Sequence, residues 1–102
     1  GQQIDGSTSQ VLDLGDIGKK FEAFGWDVMH IADGNNLEKV GDGLRAAIDK
    51  TGKGKPICII MKTEMGNGVD FMMGSHKWHG VAPNDEQLAS ALAQNTETLG
   101  DY

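Results

Sequence analysis

The sequence predicts an α/β fold with parallel strands, arranged as a right-handed βαβ unit. Two short apolar runs, residues 26–32 and 57–61, flank a segment with helical periodicity at residues 37–50. The second run is apolar at every position, which is typical of parallel strands that are covered on both faces. The 15 glycines are spread singly between these segments, as in a protein with many tight connections. A strand, a helix and a parallel strand in this order cross over right-handed.

The chain opens with a predicted loop and a short helix. Residues 1–15 contain Asp5-Gly6 and a cluster of serine and threonine, and they carry no apolar period, which favours a loop. A helix is predicted over residues 16–24, with Gly25 as its stop signal. Three apolar side chains share one face of this helix: Ile17, Phe21 and Phe24.

The strongest helical pattern in the chain follows the first strand. Residues 26–32 are short, rich in apolar residues and bounded by glycine on both sides, which predicts a strand. Asn35 or Asn36 then caps a helix over residues 37–50. Its apolar stripe comprises Leu37, Val40, Leu44, Ala47 and Ile48.

The second half of the chain combines a buried strand, a long loop and a last helix. Residues 57–61 form the predicted strand. Residues 62–83 keep no period, and a structureless stretch of this length in a small domain is usually functional. Residues 84–87 resemble a capping box. The helix that they open has three apolar residues on one side: Leu88, Ala91 and Leu92.

Two strands are too few to form an independent sheet. The strand at residues 57–61 needs neighbours on both edges and cover on both faces. We therefore expect residues 1–102 to be one partial domain whose remaining strands come from a larger domain or from a partner chain. An isolated chain of this kind would associate or be poorly stable.

Charge and composition exclude several classes of partner. The chain has 9 basic and 15 acidic residues, a net charge of −6 at neutral pH, which argues against a nucleic acid or an anionic membrane as the main partner. No apolar run is long enough to span a membrane. The single cysteine, Cys58, permits no disulfide framework, and its apolar strand favours an inert buried thiol. We expect a cytoplasmic protein.

The long loop at residues 62–83 holds the candidate chemistry. Its Gly66-Asn67-Gly68 motif is either a phosphate-binding loop or a simple turn. His79 is either a group that contacts a phosphate or moves a proton, or a packed structural histidine. His76 is taken as an exposed loop residue. The pair of histidines also allows a metal site, although no third ligand has motif spacing.

Several motifs resemble one enzyme family when they are taken together. They are Gln3-Ile4-Asp5-Gly6, Ala23-Phe24-Gly25-Trp26, Gly54-Lys55-Pro56, Lys62-Thr63 before Gly66-Asn67-Gly68-Val69-Asp70-Phe71-Met72, and Trp78-His79-Gly80-Val81-Ala82-Pro83-Asn84. This ordered set resembles the thiamine diphosphate-binding domain of transketolases, in particular the type made as separate N- and C-terminal subunits. The resemblance covers residues 2–93 and implies part of a three-layer thiamine diphosphate-binding fold.

The resemblance implies roles for three residues. Gln2 matches the position whose main-chain carbonyl completes the Mg²⁺ shell beside the cofactor, and Ile4 matches an apolar residue at the cofactor. His79 matches the histidine that contacts the diphosphate and the hydroxyl end of the donor sugar, so it is assigned to the cofactor, to the substrate and to catalysis. The cofactors implied are thiamine diphosphate and Mg²⁺.

The chain also departs from the family pattern. The family's Gly-Asp-Gly…Asn motif, which carries the side-chain metal ligands, is absent from this sequence and would lie before residue 1. The glutamate that activates the cofactor belongs to the family's second domain. Asn35 stands where many relatives have histidine, while Met65 and Asn67 replace residues that are often lysine. Any phosphate contact in the 62–83 loop is therefore expected from backbone N–H groups.

The resemblance implies a segment of a transketolase, which transfers a two-carbon ketol unit between sugar phosphates. The partners implied are the other transketolase domains or a partner chain that carries them, and a homo-oligomer; alone, the chain is expected to be inactive. Two alternatives are a segment of a 1-deoxyxylulose-5-phosphate synthase and a non-catalytic interaction module derived from the same domain.

Overall fold

The computed structural model describes residues 2–95, and the predicted domain of residues 1–102 extends beyond them at both ends. The chain begins with an antiparallel hairpin of β1 (Gln2–Gln3) and β2 (Gly6–Ser7), followed by the short helix α1 (Thr8–Val11). The prediction of a loop was therefore wrong here. Strands of two residues and one turn of helix are too short to leave an apolar period in the sequence.

The helix predicted over residues 16–24 is confirmed as α2 (Ile17–Ala23). The Asp16 carboxylate caps it by accepting the Lys19 backbone N–H at 3.0 Å, and this hydrogen bond with the Lys19 charge lowers the pKa of Asp16. Phe24 lies beyond the last turn and is 84% exposed, so its predicted place on the apolar face was wrong.

A pair of parallel strands forms the centre of the described chain, as predicted. β3 (Asp27–Ile31) pairs with β4 (Ile57–Met61) in a register that runs from Asp27 opposite Ile57 to Ile31 opposite Met61. The helix between them is α3 (Leu37–Ile48), and Asn36 caps it by accepting the Lys39 backbone N–H. The right-handed crossover stays a prediction.

Helices lie on both faces of the strand pair. Neighbouring residues of a strand point to opposite faces, and in β3 the side chain of Ile31 meets α3 at Gly43 while that of His30 meets α2 at Gly18. The local arrangement is thus helix, sheet, helix. Lys50 lies just after α3 and forms an ion pair with Asp27 at 2.9 Å, which ties the end of α3 to the start of β3.

The cover that residues 2–95 give to this sheet is thin. Only Ile31, Ala47 and Val69 are buried hydrophobic residues in this part of the chain. β4 is half-buried along most of its length, so residues 2–95 cover this apolar strand only in part. Cys58, which was expected to be a buried thiol, is likewise half-buried. In α3, Leu37 is 87% exposed, and the apolar stripe of that helix is only partly covered.

The last helix, α4 (Asp85–Gln94), begins with the predicted capping box between Asn84 and Gln87. The segment at residues 62–83 was predicted to be structureless, but it contains a 3₁₀ turn over His76–His79. Among the helices of residues 2–95, none is long and apolar enough to cross a membrane.

Candidate functional site

The loops that leave β3 and β4 are tied together at the carboxyl ends of the two strands. The Gly34 N–H donates to the Lys62 carbonyl at 2.7 Å, and the Glu64 N–H donates to the Asn35 side-chain oxygen at 2.7 Å. The helix cap is thus Asn36, and Asn35 joins the two loops. A cavity of about 180 Å³ lies between these loops, with Asp33 and Asn67 among its lining residues. Ligands of open α/β sheets bind at this edge.

The Gly66-Asn67-Gly68 motif forms a turn. The Val69 N–H donates to the Gly66 carbonyl at 3.1 Å, which is the hydrogen bond of a β-turn. Gly66 has φ +74°, and a Cβ built there would lie 2.7 Å from the carbonyl carbon and oxygen of Met72. Only glycine fits this position, because the backbone of the returning loop passes so close.

Aromatic packing fixes the rest of the long loop. The Trp78 indole N–H donates to the Phe71 carbonyl at 3.0 Å, and the two rings pack edge to face with centroids 5.3 Å apart. The Gly74 N–H donates to the Glu64 carboxylate at 2.8 Å. These contacts join the segment before the His76–His79 turn to the turn itself and to the start of the loop.

Helix α4 is hydrogen-bonded to the same loop through Gln94. The Gln94 amide makes two hydrogen bonds to Asp70: its oxygen accepts the Asp70 backbone N–H at 2.8 Å, and its nitrogen donates to the Asp70 carboxylate at 2.9 Å. A bidentate side-chain contact of this kind fixes both distance and orientation. The helix that follows the loop thus stabilises the loop.

The N-terminal hairpin and the His76–His79 turn lie side by side, although they are far apart in the sequence. β1 packs against the turn, and the Nδ1 atom of His76 lies 3.4 Å from the Ile4 carbonyl oxygen. The residues singled out by the sequence are therefore carried by two neighbouring segments. Gln2 is half-buried in β1, Ile4 is 58% exposed in the hairpin turn, and His79 is exposed at the end of the 3₁₀ turn.

His76 differs from its sequence interpretation. It was expected to be an exposed loop histidine, whereas it is half-buried and contacts the hairpin. Spacing could not reveal this contact, because 72 positions separate the two residues. The placement of Asn35 between two loops was missed for the same reason.

Two observations bear on the groups that this surface could hold. The Gln3 side-chain nitrogen is buried and has no hydrogen-bond partner among residues 2–95, and a buried donor without an acceptor costs about 1–3 kcal/mol. An acceptor from a ligand or from further polypeptide would remove that cost. Within the same described range, no group of three or more His, Cys, Asp or Glu side chains could hold a metal ion.

Comparison with known proteins identifies a matching family. The family model described as "Transketolase, thiamine diphosphate binding domain" matches residues 2–98. One of the subunits of the apulose-4-phosphate transketolase of Phocaeicola vulgatus is 37% identical over 97 residues, which are 95% of this chain and 34% of that protein. The 6-deoxy-6-sulfo-D-fructose transketolase subunit of a Clostridium species is 34% identical over 90% of this chain and 32% of its own length.

A longer relative matches over a similar part of this chain. Transketolase 1 of Saccharomyces cerevisiae is 37% identical over 97 residues, which are 92% of this chain but only 14% of the yeast protein. The chain thus spans about a third of the length of the Phocaeicola and Clostridium relatives, and less of the yeast enzyme. The match to the family model includes the hairpin, the strand pair, the long loop and α4.

Proposed function

The chain belongs to the family of transketolase thiamine diphosphate-binding domains, and on this premise we propose that it forms one part of the cofactor site of a transketolase. In the complete enzyme this site transfers a two-carbon ketol unit between sugar phosphates. The remaining parts of the site come from the polypeptide that this chain does not span.

One observation carries the proposal: the N-terminal hairpin lies against the His76–His79 turn. The family resemblance assigns Gln2 and Ile4 to the cofactor on the first segment, and His79 on the second. These assignments come from separate motifs, so a fold that kept them apart would have argued against a shared site. Their adjacency supports a single cofactor surface built from both ends of the chain.

The residues on this surface supply part of the chemistry that thiamine diphosphate and Mg²⁺ require. The cofactor, when bound, supplies the carbanion chemistry of ketol transfer, and the protein supplies binding and orientation. Mg²⁺ takes oxygen ligands, and the Gln2 main-chain carbonyl would supply one. Ile4 is largely exposed in the described chain, so its apolar side chain is available to pack on a cofactor ring.

His79 holds the polar end of the proposed site. Its exposed ring, at the end of a turn that Trp78 anchors, can donate a hydrogen bond to an anionic oxygen. We assign it to the diphosphate and to the hydroxyl end of the donor sugar. In that place it would orient the donor and stabilise negative charge.

The thin cover of the strand pair supports a partner. β3 and β4 pair only with each other within residues 2–95, and parallel sheets are stable when both faces are covered. The names of the Phocaeicola relative and of a relative from Actinobacillus succinogenes each describe one subunit of a transketolase. We propose that this chain likewise assembles with the remaining transketolase domains or with a partner chain, in a three-layer fold.

We expect the isolated chain to bind thiamine diphosphate with Mg²⁺ far more weakly than the complete enzyme. One carbonyl and one histidine provide too few contacts, because Mg²⁺ prefers near-octahedral coordination and a carboxylate among its ligands. Titration calorimetry on both proteins measures the difference. Equal affinity would contradict the proposal that the site is shared, and the absence of binding to the complete enzyme would contradict the cofactor assignment itself.

A further inference from the structure

His76 is placed to connect the two segments of the proposed site. Its Nδ1 atom lies 3.4 Å from the Ile4 carbonyl oxygen, slightly longer than the roughly 2.7–3.2 Å of most N–H···O hydrogen bonds. A carbonyl oxygen only accepts, so the ring must carry a proton on Nδ1 to make this bond. In a neutral imidazole, a hydrogen bond at this contact would require the tautomer with its proton on Nδ1.

The position of His76 within the turn gives this contact a consequence for His79. Side chains three residues apart in a 3₁₀ helix lie one above the other, so His76 and His79 share one side of the turn. On the other side of the contact, Ile4 lies in the hairpin that begins with Gln2. A hydrogen bond from His76 to Ile4 would thus fix the separation between the turn that carries His79 and the hairpin that carries Gln2.

We propose that His76 is a positioning residue, which donates from Nδ1 to the Ile4 carbonyl and thereby holds His79 and the hairpin at the spacing that the cofactor needs. This inference rests on the proposed function, since the spacing matters only if the two segments share a ligand. It assigns no contact with the cofactor to His76. The role is distinct from that of His79, which touches the ligand.

The first test reads the contact without any cofactor. Long-range ¹H–¹⁵N correlation spectra of the histidine rings, recorded above the ordinary pKa of histidine, distinguish a proton on Nδ1 from a proton on Nε2. The proposal predicts the Nδ1–H form for His76 in the complete enzyme. A dominant Nε2–H form of His76 would overturn it.

The second test uses matched variants of the complete enzyme. The amide nitrogen of asparagine occupies nearly the place of Nδ1, whereas that of glutamine lies nearer the place of Nε2. His76→Ala and His76→Gln should therefore weaken thiamine diphosphate binding about three- to tenfold, which is the range expected for one hydrogen bond. His76→Asn should stay close to the unaltered enzyme, because it keeps a donor for Ile4.

The outcomes separate this inference from the proposed function. Unchanged affinity in His76→Ala, or equal losses in the asparagine and glutamine variants, would overturn the positioning role while the unaltered enzyme still binds the cofactor. Absence of cofactor binding in the unaltered enzyme would instead contradict the proposed function and remove the role of His76 with it. In that case an Nδ1–H signal would still identify the contact as a purely structural one.

Discussion

His79→Ala is expected to lower the rate of two-carbon transfer by the complete enzyme about 10–100-fold and to weaken retention of thiamine diphosphate. The change removes one charge-assisted contact, which is worth about 1.5–3 kcal/mol. His79 is exposed in the described chain, so the substitution opens no buried cavity among these residues. Steady-state kinetics with a ketose phosphate donor and a measurement of bound cofactor check both effects.

Lys77→Ala is the matched control for this variant. Lys77 lies in the same 3₁₀ turn and its side chain is exposed, while its backbone N–H keeps the bond to Ser75. It should stay within about twofold of the unaltered enzyme, as for most surface substitutions. Similar losses in both variants would indicate general damage to the turn, and full activity of His79→Ala with cofactor bound would refute its assigned role.

Gly66→Ala is expected to destabilise the protein by about 2–5 kcal/mol. Alanine at φ +74° costs about 1–2 kcal/mol, and its Cβ would lie 2.7 Å from backbone atoms of Met72, which adds about 1–3 kcal/mol for an overpacked contact. The loop must shift to relieve this contact. This shift would displace the His76–His79 turn, so the affinity for thiamine diphosphate should fall together with the stability of the protein.

Gly52→Ala separates the two causes. Gly52 also has φ +74°, but a Cβ there would meet nothing within 4 Å. It should cost only the conformational part, about 1–2 kcal/mol. Urea unfolding followed by tryptophan fluorescence compares the two variants in one assay. Equal losses would show that the short distance from a Cβ at position 66 to the Met72 backbone adds nothing to the conformational cost.

The sequence predicted those elements whose signals are local. The apolar period of α3, the capping box at Asn84 and the two apolar runs that became β3 and β4 each depend on residues close to one another in the chain. The succession of strand, helix and parallel strand follows from them. Helix caps were also predictable, because a capping side chain bonds backbone only three residues ahead.

The sequence could not predict contacts between distant segments. The hydrogen bond from the Glu64 backbone to Asn35 joins residues that are 29 positions apart in the sequence. The contact between His76 and Ile4 spans 72 positions. The N-terminal hairpin was missed because its strands have only two residues each. The apolar run of β4 indicates a strand covered by a whole domain, and residues 2–95 supply only part of that cover.

The candidate site was predicted as a set of residues and not as an arrangement. Family resemblance placed Gln2 and Ile4 at one end of the chain and His79 near the other, and their roles remain proposals. The structure adds that the hairpin and the turn are neighbours. It also draws attention to His76, which no motif had singled out for a role beside the cofactor.

The measurement that tests the central proposal most directly is an assay of two-carbon transfer by the complete enzyme that contains this chain. The enzyme is stripped of cofactor, and a ketose phosphate and an aldose phosphate are supplied with and without thiamine diphosphate and Mg²⁺. The proposal predicts that the donor is shortened and the acceptor extended by two carbons only when both are added, and that His79→Ala reduces this transfer. Absence of transfer from every ketose phosphate tried, by an enzyme shown to hold the cofactor, would contradict it.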